Sequence, residues 1–380
     1  MKVILIGNPE NRRLQMMQEA LHSYQLNYQT IAWIDLLSTP HSFESIVEEN
    51  DIIKIDSFGE NFDVFKGLLK WGSESIKKEE FHQISKEKID SLPNDKGRIQ
   101  YSRQAYLGFK EALKFVENCA MKKENVRFIN TPTAILQMFD KKNAHQILLE
   151  HHVAKTKFLG TVRNYEELQQ MMNQAKEHQV FIKLAHGSSS SGVMAYRRSK
   201  SREVLKTSVE IDKSSALYNS LNISTYRDAT KIELIINQLA KEHLIVEKWE
   251  PKATFNNKVF DLRLVVIDQK VEHVVMRSST SPMTNLHLGN ERGDLNGLID
   301  YLGNEKWEEI KQTAIQAVKS FQGAMVAGVD LMVQSNSHKV KIIEVNAFGD
   351  LVPRIVNSEG RTTYEEQAFI IKSIFDEVLT

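Results

Sequence analysis

Two apolar segments near the C-terminus each carry a carboxylate where a buried strand should have none. They are Gly328-Val329-Asp330-Leu331-Met332 and Ile342-Ile343-Glu344-Val345-Asn346, joined by the polar stretch Gln334 to His338. The pattern predicts an antiparallel hairpin. An unpaired carboxylate in such a strand is strongly unfavourable, so Asp330 and Glu344 each need a cation or a strong donor. Two carboxylates and the Asn346 amide oxygen form a hard oxygen set suited to Mg²⁺, with phosphate oxygens completing the shell. Structural salt bridges are the other reading of the same residues.

The N-terminal third has a different rhythm. Val3 to Ile6 is an apolar run ending at Gly7, and Asn11 to Tyr24 places Leu14, Met17, Ala20 and Leu21 at helical spacing. Gln29 to Ile34, Asp51 to Ile55 and Val126 to Ile129 read as further strands, and Gln104 to Cys119 as an amphipathic helix. This β/α alternation predicts an open, mostly parallel sheet with helices on its faces. The charged stretch Lys77 to Arg98 reads as a solvated loop. Thr133 to Glu150 reads as one long helix or two short ones, and Tyr165 to His178 and Trp307 to Gln322 as helices. The polar stretch Ser199 to Asp228 reads as a loop.

A second chemical signal is Phe181-Ile182-Lys183-Leu184-Ala185-His186, followed by Gly187, Ser188, Ser189, Ser190, Ser191 and Gly192. A lysine ends a strand, and a loop of small residues then exposes backbone N–H groups, as a polyphosphate requires. No Gly-Lys-Ser/Thr opens a helix, so this is not a P-loop; a flexible surface turn would read alike. Further on, the strand Leu244-Ile245-Val246 runs into Glu247-Lys248-Trp249-Glu250. Such a linker can offer backbone groups to an adenine edge, and Glu250 can accept from ribose hydroxyls. Arg263 interrupts the apolar strand Phe260 to Ile267, and Arg277 follows one strand later, ahead of Asn285. Either arginine alone is equally explained by a surface salt bridge. His186 can touch a nucleotide or stand as a hinge-side polar residue, and Arg98, Tyr101 and Arg103 can hold a carboxylate or simply start a helix.

In order and spacing these segments resemble the ATP-grasp superfamily over about Asn130 to Gly349. The resemblance assigns Lys141 to the helix lysine, Lys183 to the lysine before the loop, and Gly187 to Gly192 to the phosphate loop. Val246-Glu247-Lys248-Trp249 is similar to the linker of D-alanine–D-alanine ligases. Asp261-Leu262-Arg263 is similar to the glutamate-adding and glutathione-synthesising branch. Arg277 and Asn285 match the arginine–asparagine pair, and Asp330, Glu344 and Asn346 the metal ligands. Met283 stands where the glutamate-adding branch often has a second arginine, and Gly289-Asn290 replaces its paired glycines, so that branch's substrate is not carried over.

The resemblance implies an α/β ATP-grasp fold with an N-terminal domain over 1–129, a central lid domain over 130–246 and a C-terminal antiparallel-sheet domain over 247–380. It implies ATP and Mg²⁺ as cofactors, the metal as two ions and replaceable by Mn²⁺. The implied reaction activates a small-molecule or peptide carboxylate as an acyl phosphate and joins it to an amine, with Lys183, Arg263 and Arg277 catalytic. A kinase acting on a small molecule and a non-catalytic ATP-binding regulator use the same nucleotide motifs and stay open. Related enzymes are often homodimers.

Composition narrows the remaining classes. Lys+Arg and Asp+Glu are both 49, giving a formal net charge of zero, which argues against a dominant nucleic-acid surface. Cys119 is the single cysteine, so an intramolecular disulfide and a cysteine-based zinc cluster are excluded. No segment reaches the roughly 18 apolar residues of a membrane span, and a cytoplasmic enzyme is expected.

Overall fold

The computed structural model describes all residues except 77–80, 188–190, 350, 353 and 380. Expectations for Ser188, Ser189 and Ser190, and for the start of the Lys77 to Arg98 stretch, therefore lie outside the described residues.

The N-terminal unit is a parallel sheet of order β2-β1-β3-β4. Its elements are β1 (Val3–Gly7), α1 (Arg12–Ser23), β2 (Tyr28–Ala32), α2 (Trp33–Ser38), α3 (Pro40–Ile46), β3 (Ile52–Ile55), α4 (Phe62–Ile76), α5 (Lys86–Ile89), α6 (Ser102–Ala120) and β4 (Arg127–Phe128). Strand alternation splits β1 between two cores. Ile4 and Ile6 meet Leu68 of α4 and Phe109 of α6, whereas Val3 and Leu5 meet Leu14 and Met17 of α1. Helices α4 and α6 approach through glycines. A Cβ on Gly72 would come within 2.1 Å of the Gln104 carbonyl oxygen, and one on Gly108 within 1.8 Å of that of Leu68. β2 ends at Ala32, short of the predicted Ile34, because Trp33 begins α2 and is fully buried, its indole N–H donating to the Asp56 carbonyl at 3.0 Å.

The stretch predicted as one helix or two is two, α7 (Pro132–Phe139) and α8 (Lys141–Glu150), parted at Asp140, whose carboxylate caps α8 through the N–H groups of Lys142 and Asn143. The central sheet follows, of order β5-β10-β6-β7-β8-β9 and antiparallel throughout. It comprises β5 (Phe158–Val162), α9 (Tyr165–Ala175), β6 (Gln179–Leu184), β7 (Met194–Arg198), β8 (Glu203–Ile211), β9 (Leu217–Tyr226), α10 (Ala229–Ala240) and β10 (Leu244–Lys248). The predicted loop from Ser199 to Asp228 is thus corrected to a long edge hairpin. Leu205 and Val209 point into the core under α10 while Leu221 is exposed, so only one face of the ribbon is apolar.

The C-terminal sheet has the order β14-β13-β12-β15-β16, with β11 (Thr254–Phe255) paired to β12. Its elements are β12 (Lys258–Ile267), β13 (Lys270–Ser279), β14 (Glu291–Arg292), α11 (Leu295–Leu302), α12 (Asn304–Lys319), β15 (Val326–Val333) and β16 (Val340–Asn346), and α13 (Thr363–Leu379) closes the chain. One face, with Leu262, Leu264, Met276, Val329 and Val345, packs on α12. The other is divided. Val265, Ile267 and Val275 pack on the N-terminal unit and α13, and beyond them the same face turns charged.

The units are pinned by buried polar contacts. Asn130 donates to the Val326 carbonyl at 2.7 Å and accepts from the Met325 and Val326 N–H groups. Glu242, 1% exposed and just after α10, accepts from the backbone N–H groups of Tyr101 and Ser102 at 2.7 Å, so a central-unit carboxylate caps α6 of the N-terminal unit.

Candidate functional site

Period-two alternation and register assemble the site from distant residues. Arg263 on β12 lies opposite Asp330 on β15, and Asp330 opposite Glu344 on β16. Asp261 lies opposite Arg277 on β13. Residues two apart share a face, and so do directly opposed residues. Asp261, Arg263, Arg277, Asp330, Glu344 and Asn346 therefore project together into a cavity of about 670 Å³ between the three sheets.

Each carboxylate in that row is held. Asp330 receives the Arg263 Nε at 2.6 Å and the Arg277 Nη2 at 2.9 Å. Asp261 accepts from Arg277 Nε at 2.7 Å, from Lys252 Nζ at 2.8 Å and from the Thr284 hydroxyl. Burial alone would raise the Asp261 carboxyl, but Arg277 and Lys252 outweigh it and hold it below the usual range, and Arg277 is correspondingly held charged. Glu344 meets the Lys141 ammonium at 3.0 Å; burial pushes its carboxyl up, and Lys141 and Lys183 bring it below its ordinary value. Lys141 also donates to the Gly187 carbonyl at 2.6 Å, tying α8 to the loop after β6.

Glu247, assigned to the linker, lines the same cavity. It is buried, with Lys183 at 2.7 Å and both Lys155 and His145 at 3.3 Å. Burial opposes its charge, yet the two lysines hold it well below the carboxylate range. Lys183 is raised, since Glu247 and Glu344 outweigh burial, whereas burial wins at Lys155 and lowers it. Glu250 lines the cavity but is bound by Lys341 Nζ at 2.6 and 2.8 Å, by Gln334 and by the Lys157 N–H. Lys248 lines it too and donates to Glu177 at 2.7 Å. Trp249 is not among the lining residues; its ring lies against Phe181 and under Arg197. Gly187, Ser191 and Asn285 line the cavity, and Gly192 turns the loop at φ 65°.

Of the residues weighed outside the motifs, His186 is fully enclosed, stacked on Tyr106 and 3.3 Å from Asp140. Arg103 lies 3.2 Å from its ring. Arg98 lines a separate cavity of about 240 Å³ beside Glu242. Sequence reasoning missed Lys155, Lys252, Lys341 and His145. Lys341 reaches the site from β16 and the others from adjoining loops or a helix, and the only available signal was that Glu247, Glu250 and Asp261 needed cations.

The donor set fits a hard divalent cation bound together with an anionic ligand. Asp330, Glu344 and Asn346 are oxygen donors on adjacent strands, and among the described residues no group of three or more His, Cys, Asp or Glu could hold a metal unaided. Arg263 Nη1 is buried without a hydrogen-bond partner among the described residues, an orphan donor where an anion would be satisfied. It lies over Gly328, where a Cβ would come within 2.4 Å.

A parallel N-terminal sheet, two antiparallel sheets and a carboxylate-bearing closing hairpin facing the cleft define an ATP-grasp fold. The profile of the YheC/D-like ATP-grasp family matches residues 126–358. More than half of the chain is matched, and the protein belongs to that family, which uses ATP and Mg²⁺. Similar solved structures include the macrocyclase MdnC from Microcystis aeruginosa MRC bound with its precursor peptide MdnA, at 11% identity and TM-score 0.54, covering 98% of this chain and 99% of that one. D-cycloserine synthetase DcsG gives 13%, TM-score 0.56 and coverages of 97% and 99%. D-alanine–D-alanine ligase from Bacillus anthracis gives 12%, TM-score 0.53 and coverages of 99% and 98%. At these identities the likeness is one of fold. No curated protein matches the chain. No helix among the described residues is long and apolar enough to cross a membrane.

Proposed function

We propose that the protein is an ATP- and Mg²⁺-dependent ligase that joins a carboxylate to an amine through an acyl phosphate. The observation that carries this reading is the shared face of Asp330, Glu344, Asn346, Arg263 and Arg277, opposite Lys141 and Lys183 in one cavity. Asp330, Glu344 and Asn346 would hold Mg²⁺, which supplies charge neutralisation at the phosphates. Phe181, Val193, Met332 and Ile343 give the same cavity apolar walls suited to a flat heterocycle. Lys141 and Lys183 hold positive charge beside the loop Gly187 to Gly192.

Transfer of the γ-phosphoryl group to a substrate carboxylate oxygen gives an acyl phosphate and ADP. Attack by an amine then forms the amide and releases phosphate. Arg263 and Arg277, fixed by Asp330 and Asp261, present charge where it accumulates during transfer, without reorganising. No side-chain nucleophile is required. Purified protein with Mg-ATP, screened against pools of amino acids, small acids and peptides, tests the reading through ADP release. Acceptor-dependent ADP, lost in Glu344→Ala and trapped as a hydroxamate with hydroxylamine, is expected. A phosphorylated, unligated product would replace the ligase with a kinase, and nucleotide binding without turnover in any pool would count against an enzyme.

A further inference from the structure

Beyond Arg277 the cleft wall carries arginines that have no ion pair among the described residues. β14 sets Arg292 directly opposite Arg277 on the same side of the sheet, and like charges so opposed are unfavourable. Arg277 is neutralised by Asp261 and Asp330. Arg292 is exposed, lines the cavity and has no ion pair among the described residues.

Other segments bring charge of the same sign into the same cavity. Arg12 and Arg13 open α1, whose first turn holds no acidic residue. Arg12 and Arg354 are exposed, line the cavity and lack an ion pair among the described residues. Arg13 is only loosely paired, 3.8 Å from Asp56 and from Glu60, and its Nε is buried without a hydrogen-bond partner among the described residues. Of the carboxylates lining the cavity among the described residues, Glu247, Glu250, Asp261, Asp330 and Glu344 are each held by a lysine or arginine, which leaves Glu60 facing these arginines. Lys54 of β3 is buried with no carboxylate in ion-pair range among the described residues, and burial lowers its affinity for the proton. The loops concerned follow β1 and β3, at the carboxyl edge where the strand order reverses, which is where open α/β sheets take ligands.

We propose that this end of the cleft selects a substrate bearing at least two carboxylates, one to be activated and a second held by Arg292, Arg354 and Arg12. The fate of the first carboxylate rests on the ligase reading; the binding of the second does not. A free acidic amino acid and the acidic end of a peptide present the same chemistry.

Calorimetric titration of the whole protein, with a non-hydrolysable ATP analogue and Mg²⁺ present, tests this with N-acetylglutamate, its monoamide N-acetylglutamine and triglutamate. The dicarboxylate is expected to bind about tenfold tighter than the monoamide, as one charge-assisted contact supplies. That ratio should fall toward one in Arg292→Gln and Arg354→Gln, and partly recover in Arg292→Lys, with nucleotide binding reporting that each variant is folded. A preference for triglutamate over N-acetylglutamate identifies a peptide source, and the reverse a free acid. Equal affinity for the dicarboxylate and its monoamide, no binding by either acidic probe, or a preference that survives both glutamine variants would overturn the proposal. Selective binding with no ADP release would sustain it and sink the ligase reading instead.

Discussion

Glu247→Gln keeps the shape of the side chain and removes the one charge that two buried lysines share. Lys183 and Lys155 lie 2.7 and 3.3 Å from this carboxylate, and Glu344, the next acid, is already engaged by Lys141. Breaking a buried pair from one side costs about 3–5 kcal/mol. The variant has one escape, loss of the Lys155 proton. From the ordinary value of 10.5 this costs about 5 kcal/mol at pH 7, so the penalty is bounded from above. Urea denaturation followed by tryptophan fluorescence, with Trp249 two residues away, measures it. In wild type the Glu247 carboxyl is depressed, so its stabilisation is complete above its usual pKa of 4.5 and fades as pH falls through the lower folded value. In the variant a folded, neutral Lys155 binds fewer protons than the unfolded chain, so the deficit should shrink as pH rises from 7 to 9. A loss below about 1 kcal/mol, the worth of an exposed pair, would refute the view of Glu247 as a buried counter-ion.

Three further outcomes follow from the geometry. Gly328→Ala places a Cβ within 2.4 Å of Arg263 Nη1, so the guanidinium must shift against Asp330; turnover should fall more than stability, which should drop by about 1–3 kcal/mol, read by ADP release and denaturation in parallel. His186 is held neutral by burial, its pKa pushed down to about 4 from 6.5, so the unfolded chain takes up the proton first. Wild type should therefore lose up to about 3 kcal/mol between pH 6.5 and pH 4, and His186→Gln should flatten that slope in denaturation series. Chelation of Mg²⁺ should abolish ADP release and weaken nucleotide binding without unfolding the protein, because Asp330 and Glu344 have their own cations; near-ultraviolet circular dichroism separates the two effects.

How much of this was legible in sequence depends on whether a residue's partner lies on its own sheet. Asp330, Glu344 and Arg263 stand out because alternation in an apolar strand makes a charge anomalous, and register then brings them together. Glu247 reads only as part of a linker, because nothing near it in sequence reveals Lys155 and His145, which meet it only in the fold. The edge hairpin of β8 and β9 reads as a loop in sequence because its outer face is polar, although Leu205, Thr207, Val209 and Ile211 alternate. β2 was drawn too long because Trp33 and Ile34 are strand formers by type, and the burial of Trp33 on α2 overrides that preference.

The capping of α6 by Glu242 bears on how the cleft can move. Translating the central sheet away from the N-terminal unit would strip two short backbone bonds from one buried carboxylate and expose a helix N-terminus. Rotation about Glu242 breaks neither bond. The backbone bonds Ile99 N–H to Leu217, Asn219 N–H to Gly97 and His82 N–H to Lys241 tie the same corner, so an opening that keeps this junction is angular, with displacement growing with distance from the start of α6.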